Sequence, residues 1–309
     1  MSAPSVAVIV ATRDRPELLR QAVASILGQR YEGRIEVFAV FDQSEPDHDL
    51  AHDFAHVGDS RAVRVLANGR AAGLAGARNT GIEAAADHDL VAFCDDDDLW
   101  LPSKLEAQVE LLAHHPEMEV VTTGILVEAR GRVTPRVLLE PAITHAQLVR
   151  SRVMEAHPST FLARRSAVVK GIGLIDEAIP GSYGEDYDWL LRAARRSDIG
   201  SVNLPLVKVF WHRSSFFAER WQTIVTALDY LLEKHPELRD DPAGLARIEG
   251  QQAFALAALG DGRGARKLAR RAIGRERSQR RAWLALAVST PLLRSHHVLR
   301  LLQRSGRGV

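Results

Sequence analysis

The chain has a single cysteine, Cys94, in 309 residues. One thiol closes no internal disulfide and builds no cysteine-ligated zinc centre. It is compatible with a reducing compartment without establishing one. No uninterrupted apolar run approaches the roughly 20 residues that a bilayer-spanning helix needs. Met1-Ser2-Ala3-Pro4 leads directly into a strand pattern, with no basic stretch ahead of an apolar one, so no secretory leader is expected. A Ser/His/Asp hydrolase elbow is missing. The pair Gly171 and Gly173 lacks the strand–helix context of a dinucleotide fingerprint. Net charge is also small, at +1, but it hides an asymmetry. Residues 261–309 carry a net +11, so the first 260 carry −10. A basic tail on an acidic body points to an anionic partner for the tail.

Hydrophobic residues make up 46% of the chain and charged residues 26%, as in ordinary soluble proteins. The length suffices for a full α/β core plus a helical appendage. Up to residue 128 the pattern alternates. Strands are expected over 5–12, 35–42, 63–67, 90–94 and 120–127, and helices over 16–29, 75–86 and 103–115. Asp14 is placed to cap the first helix and Pro16 to start it. Such alternation predicts a mostly parallel sheet with right-handed crossovers. Beyond 128 the pattern loosens, with a helix over 187–196 and a strand over 206–211. After Ser214 it turns almost wholly helical, with helices over 216–235, 243–259, 264–274, 281–289 and 292–303. The expected organisation is an α/β domain over 1–213, regular to about 128 and looser from 129. A helical region over 214–309 follows, basic from about 263.

The densest signal is Asp95-Asp96-Asp97-Asp98, directly after the apolar strand Leu90–Phe93 and closed by Leu99-Trp100-Leu101-Pro102. Four adjacent carboxylates repel one another unless a cation sits among them. Hard divalent ions take carboxylate oxygens and keep positions for water and phosphate. Thr12-Arg13-Asp14-Arg15, Asp42-Gln43-Ser44 and Asn68 stand at three other predicted strand ends. In open α/β sheets ligands bind beyond those ends, so four polar clusters are expected on one rim. His48, His52 and His56 share a four-residue spacing, but the stretch DHDLAHDFAH reads as a polar surface helix.

Several segments, taken in order, resemble family 2 glycosyltransferases of the GT-A fold over roughly residues 5–235. Val8–Arg15 is similar to the opening strand and its turn, and Ser25–Gln29 to the following helix end. Val40-Phe41-Asp42-Gln43-Ser44 stands where the family has VDDGS. Asn68 through Gly73–Gly81 is similar to the N-x-G-x-x-x-ARN-x-G segment, and Asp95–Asp98 to the DxD element. His157-Pro158-Ser159-Thr160 and Gly184–Trp189 resemble the acceptor-side segments, and Trp211-His212 the late histidine.

The resemblance implies a nucleoside-diphosphate-sugar donor, a divalent cation (Mn²⁺ or Mg²⁺) and one-step inverting transfer to a hydroxyl acceptor. In that reading Asp97 is the direct metal ligand. Asp95 lies closer to the ribose or a metal-bound water, with Asp96 and Asp98 as alternatives in the run. His212 resembles the late metal or phosphate contact. Asp42 resembles the carboxylate that accepts from uracil N3–H, which favours a UDP-sugar. Thr12, Arg15, Asn68, Arg78 and Asp96 are placed around the nucleotide and diphosphate. Asp186 resembles the catalytic base, with Glu185 and Asp188 as neighbours able to take its place. The expected role is cell-envelope, polysaccharide or glycoconjugate synthesis, with a carbohydrate or lipid-linked acceptor and a cytoplasmic location. The basic tail and Trp283 suggest peripheral contact with an anionic membrane, against the alternative of a solvated basic face. No nucleic-acid module accompanies the charge. Two other readings are a GT-A-like nucleotidylyltransferase, whose Gly-rich first loop TRDRPE lacks, and a non-catalytic nucleotide-sugar-binding scaffold. Glu219-Arg220-Trp221 lacks the glutamine of processive synthases.

Overall fold

The computed structural model describes residues 3–211 and 220–289. The expected helix over 292–303 and His212 lie outside them. The described chain divides into two compact units, one of residues 3–145, 153–177 and 185–211, the other of 146–152, 178–184 and 220–289.

The first unit opens with β1 (Val6–Thr12), α1 (Pro16–Leu27), β2 (Ile35–Phe41), α2 (Asp49–Asp53), β3 (Arg61–Ala67), α3 (Leu74–Ala84) and β4 (Leu90–Asp95). It continues through β5 (Leu99–Trp100), α4 (Lys104–His114), β6 (Val120–Ala129), β7 (Arg132–Arg136) and β8 (Ala142–Ile143). After α5 (His145–Arg150), most of which belongs to the second unit, come β9 (Leu162–Arg164), α6 (Arg165–Ala167), α7 (Glu185–Ala194) and β10 (Ile199–Phe210). The strands form one sheet in the order β3-β2-β1-β4-β9-β6-β10-β5, with β7 on β6 and β8 on β10.

β1 to β4 run parallel, as the alternation predicts. β9 then runs antiparallel between β4 and β6, while β10 is parallel to β6, so the whole sheet is mixed. The strands that periodicity did not locate, β5, β7, β8 and β9, are two to five residues long. That is too short for a period-2 pattern to stand out.

Register fixes the rim. Thr12 pairs with Phe41, Phe41 with Ala67, and Ala11 with Asp95, so the polar residues after these strands emerge side by side. β1 and β2 are buried on both faces, which suits their β-branched runs. α1 closes one face through Leu19, Val23, Ile26 and Leu27 at helical spacing. Its first turn begins at Pro16 with Arg15, not Asp14, at the cap position and no side-chain cap bond. Asp14 instead adopts φ 53°, a left-handed conformation open to Asp and Asn, as Gln43 does after β2.

The second unit contains α8 (Trp221–Lys234), α9 (Pro242–Ala258), α10 (Gly262–Arg275) and α11 (Arg280–Val288). Its core is built from small side chains: Ala246, Ala253, Ala257, Ala265, Ala269, Ala272, Ala282 and Ala285 around Phe254 and Val288. Asp241 and Asp261 cap α9 and α10 by accepting from the Gly244 and Gly264 amides at 2.6 and 2.8 Å. Among the described residues no helix is long and apolar enough to cross a membrane.

Candidate active site

The end of β2 delivers Asp42 almost fully buried. Its Oδ1 accepts from Asn68 Nδ2 at 2.8 Å and Oδ2 from Gln43 Nε2 at 2.9 Å, while the Gly73 amide donates to both at 3.0 and 3.1 Å. Burial pushes this carboxyl up, but the amide and side-chain donors outweigh it and hold the group below its ordinary range. Asn68 also donates to the Ala71 carbonyl and accepts from Arg70 N and Thr80 Oγ1. The turn between β3 and α3 is thereby tied to Asp42. Gly76 lets this turn close. A Cβ there would lie 1.9 Å from the Ala71 carbonyl oxygen.

The carboxylates of the acidic run divide between two sides. Asp96 turns back to the first strand loop, where it accepts from Thr12 Oγ1 at 2.8 Å and from Arg15 Nη1 at 3.1 Å. Burial raises it to about 6, against the Thr12 bond and the Arg15 charge, with Asp97 and Asp95 adding to the rise. Asp97, more exposed, shares Arg15 Nη1 at 3.1 Å. Asp95 accepts from Arg78 Nη2 at 2.7 Å. Asp98 turns inward, where Ser159 Oγ donates to its Oδ2 at 2.6 Å and His157 Nδ1 lies 3.3 Å from the same oxygen. The same Ser159 hydroxyl accepts from the Asp95 amide at 3.0 Å. Burial, and then the charge of Asp95, push the Asp98 carboxyl well above its ordinary value despite the Ser159 bond.

Asp95, Asp98 and His157 bring three ligand atoms within 4.8 Å of one another. Two carboxylates and an imidazole are a donor set that a divalent cation can use. The residues present therefore fit a divalent ion. Of the sequence-predicted metal set, Asp95 is in this cluster, Asp97 is engaged with Arg15, and His212 lies outside the described residues. Asp98 stood only as an alternative, and His157 and Ser159 appeared only within an acceptor-side motif. Their convergence on the acidic run depends on contacts about 60 residues away in sequence, which spacing does not reveal.

Arg78 on α3 is 3% exposed and bridges Asp95 to Glu185 Oε1, each at 2.7 Å. Burial opposes its charge, but Asp95, Glu185 and Asp186 outweigh that and hold the guanidinium above its ordinary value. Asp186 follows Glu185 in the first turn of α7, where three acids gather at the positive end of the helix dipole. Asp188 is fully buried and pairs with Arg192 one turn on, at 2.8 Å. Of the three acids, Glu185 is thus committed to Arg78 and Asp188 to Arg192.

Residues 7–171 match the family model described as Glycosyl transferase family 2. Over 107 residues the chain is 31% identical to the UDP-Glc:alpha-D-GlcNAc-diphosphoundecaprenol beta-1,3-glucosyltransferase WfgD of Escherichia coli, covering 35% of this chain and 40% of that protein. Over 95 residues it is 37% identical to the succinoglycan biosynthesis protein ExoW of Rhizobium meliloti (strain 1021), covering 29% of this chain and 28% of that one. The matches thus span well under two thirds of these relatives. Among solved structures, S. aureus TarS 1-349 in complex with UDP-GlcNAc shares the fold with a TM-score of 0.62 at 16% identity, over 98% of this chain and 92% of that one. The mannosyltransferase PcManGT from Pyrobaculum calidifontis, in complex with GDP-Man and Mn²⁺, gives 0.57 at 18%, over 97% and 84%.

Proposed function

Because the chain belongs to glycosyl transferase family 2, we propose that it moves a sugar from a nucleoside-diphosphate donor, a UDP-sugar, to a hydroxyl acceptor with inversion. What supports this is Asp42 fixed by its donors at the end of β2, the Asp95–Asp98–His157 cluster after β4, and the start of α7, joined to that cluster by the Arg78 bridge from Asp95 to Glu185.

Asp42 is held ionised by its donors, and a carboxylate suits the imide N–H of uracil while disfavouring cytosine, whose N3 is an acceptor. Thr12, Arg15 and Asn68 line the same loops on the nucleotide side. Asp95, Asp98 and His157 would hold a divalent cation, with Asp97 beside them. When bound, the cation supplies charge to stabilise the departing diphosphate. Arg78 holds Asp95 against Glu185, and Asp186 is assigned to the acceptor by its resemblance to the catalytic base of inverting family members. Asp186 takes the proton of the acceptor hydroxyl as that oxygen bonds to the anomeric carbon. The bond from that carbon to the diphosphate oxygen breaks, and its electron pair leaves with the nucleotide. WfgD acts, by its name, on a sugar diphosphoundecaprenol, and this favours a lipid-linked or polysaccharide acceptor here too. The exposed basic side chains of α10 and Trp283 favour peripheral contact with an anionic membrane.

Calorimetric titration of UDP, GDP and dTDP, each with Mn²⁺ and with EDTA, tests the donor reading. Metal-dependent UDP binding is expected, and a preference for GDP would remove the Asp42–uracil assignment. Asp186→Asn should keep UDP binding and lose transfer by roughly 10²-fold or more, the scale of a lost general base. Unchanged transfer would remove Asp186 as the base.

A further inference from the structure

The turn between β3 and α3 is held from a distant part of the first unit. Residues 69–72 are all exposed, so polar bonds rather than apolar burial keep them in place. Three of those bonds end on one carboxylate, Glu177, about 100 residues further along the chain. Its Oε1 accepts from Arg70 Nε and, at 2.6 Å, from Asn79 Nδ2, and its Oε2 accepts from the Ala71 amide at 3.4 Å. Burial pushes this carboxyl up, but the Asn79, Arg70 and Ala71 donors outweigh it and hold the group below its ordinary range.

Asn79 fixes the segment that carries Glu177. It is 1% exposed on α3, and its Nδ2 donates to the Ile175 carbonyl while its Oδ1 accepts from the Ile175 amide, both at 2.8 Å. From Glu177 the bonds run on to Asp42. Ala71 gives its amide to Glu177, and its carbonyl accepts from Asn68 Nδ2 at 2.9 Å. The same Asn68 nitrogen donates to Asp42 Oδ1 at 2.8 Å, and the Gly73 amide, two residues after Ala71, donates to both Asp42 oxygens. Arg70 also reaches Glu83 at 2.7 Å, but that carboxylate is half exposed and bonds to no other part of the turn that is tied to Asp42.

We propose that Glu177 is a positioning residue for the donor, latching the turn 68–73 and thereby setting the aim of Asp42 and the preference for uracil over cytosine. A carboxylate bonded to a guanidinium makes a charge-assisted contact, stronger than a neutral one, and two oxygens let one side chain hold three donors. The base preference rests on the proposed reading of Asp42, whereas the latch does not.

The test compares the full-length wild type with Glu177→Gln, which keeps the shape but loses the charge and one acceptor oxygen, and with Arg70→Gln at an exposed position. Without nucleotide, amide hydrogen exchange at Ala71 and Gly73 should quicken roughly tenfold in both variants, the worth of one charged hydrogen bond. In Mn²⁺, calorimetry should show UDP affinity falling roughly tenfold with CDP affinity unchanged, so that the preference for UDP shrinks. Glu83→Gln removes only the outer partner of Arg70 and should keep both the slow exchange and the preference. Unchanged exchange at Ala71 and Gly73 in both Glu177→Gln and Arg70→Gln overturns the latch. Faster exchange with an intact preference for UDP overturns the positioning role and marks a purely structural carboxylate. An equal loss of UDP and CDP affinity overturns it as well, since it marks general loosening. A wild type that binds neither nucleotide would overturn the donor reading and the base preference with it, while the exchange comparison still decides the latch.

Discussion

Lys104 shows how far a single side chain can be held from water beneath this site. It is fully buried, donates to Gln108 Oε1 at 2.8 Å and places Nζ 3.7 Å from the centre of the Trp100 ring. Burial lowers its pKa to about 7, with Cys94 acting slightly the other way. The unfolded chain holds that proton up to about 10.4. Between these values the unfolded state binds more protons, so stability rises with pH across the window. Lys104→Met is therefore expected to be more stable than the wild type at pH 6, with the difference shrinking as pH climbs from 7 towards 10. Chemical denaturation at a series of pH values checks this, and a pH-independent difference would contradict it. Ser159 acts on the other side of the acidic run. Its hydroxyl joins the Asp95 amide to the Asp98 carboxylate, so Ser159→Ala should weaken Mn²⁺ binding roughly tenfold, the worth of one charged hydrogen bond. Manganese titration followed by electron paramagnetic resonance would show it, and unchanged affinity would remove Ser159 from the metal shell.

At the scale of elements, α3 and the turn before it carry the donor side. Gly76→Ala drives a Cβ into the Ala71 carbonyl, which belongs to backbone and cannot swing aside. The expected cost is about 3 kcal/mol, together with weaker UDP binding, because Asn68 and Gly73 anchor Asp42 from this turn. Retained affinity with a lowered Tm would separate the turn's structural role from its place in the site. The same element shows what was legible in sequence. Apolar runs located β1, β2, β3 and β4 to within two residues, and the polar residues at and after their ends do emerge on one rim. The register inside Asp95–Asp98 was not legible. It is decided by Thr12 and Arg15 on one side and by His157 and Ser159 on the other, and periodicity carries no information about contacts that distant. Arg78 reads from its motif as a diphosphate contact, and its guanidinium is bonded to Asp95 and Glu185. The loss of its hydration was invisible until burial was known.

For the whole molecule, the separation of charge matters more than the small net value. Arg263, Lys267, Arg270, Arg277 and Arg280 are exposed in the second unit, as is Trp283, at 53%. Each basic residue near an anionic bilayer contributes about 1 kcal/mol, and salt screens it. Co-sedimentation with phosphatidylglycerol vesicles should therefore occur at low ionic strength, fall steeply with salt, and drop by roughly 30-fold when Lys267 and Arg270 are changed to Gln. Equal binding to neutral vesicles would exclude an electrostatic origin.

The lone thiol gives the molecule a built-in clock. Cys94 is 2% exposed at the end of β4, with Sγ 3.4 Å from the Asp95 carbonyl oxygen and 3.9 Å from that of Asp98. Burial raises it well above its ordinary value, so the native form resists alkylation. A thiol reagent can react only when the strand end opens, and with no other sulfhydryl in the chain every labelled molecule records one such opening. Ions or nucleotides that lock the acidic run should slow the labelling, reporting occupancy of the site without any engineered probe.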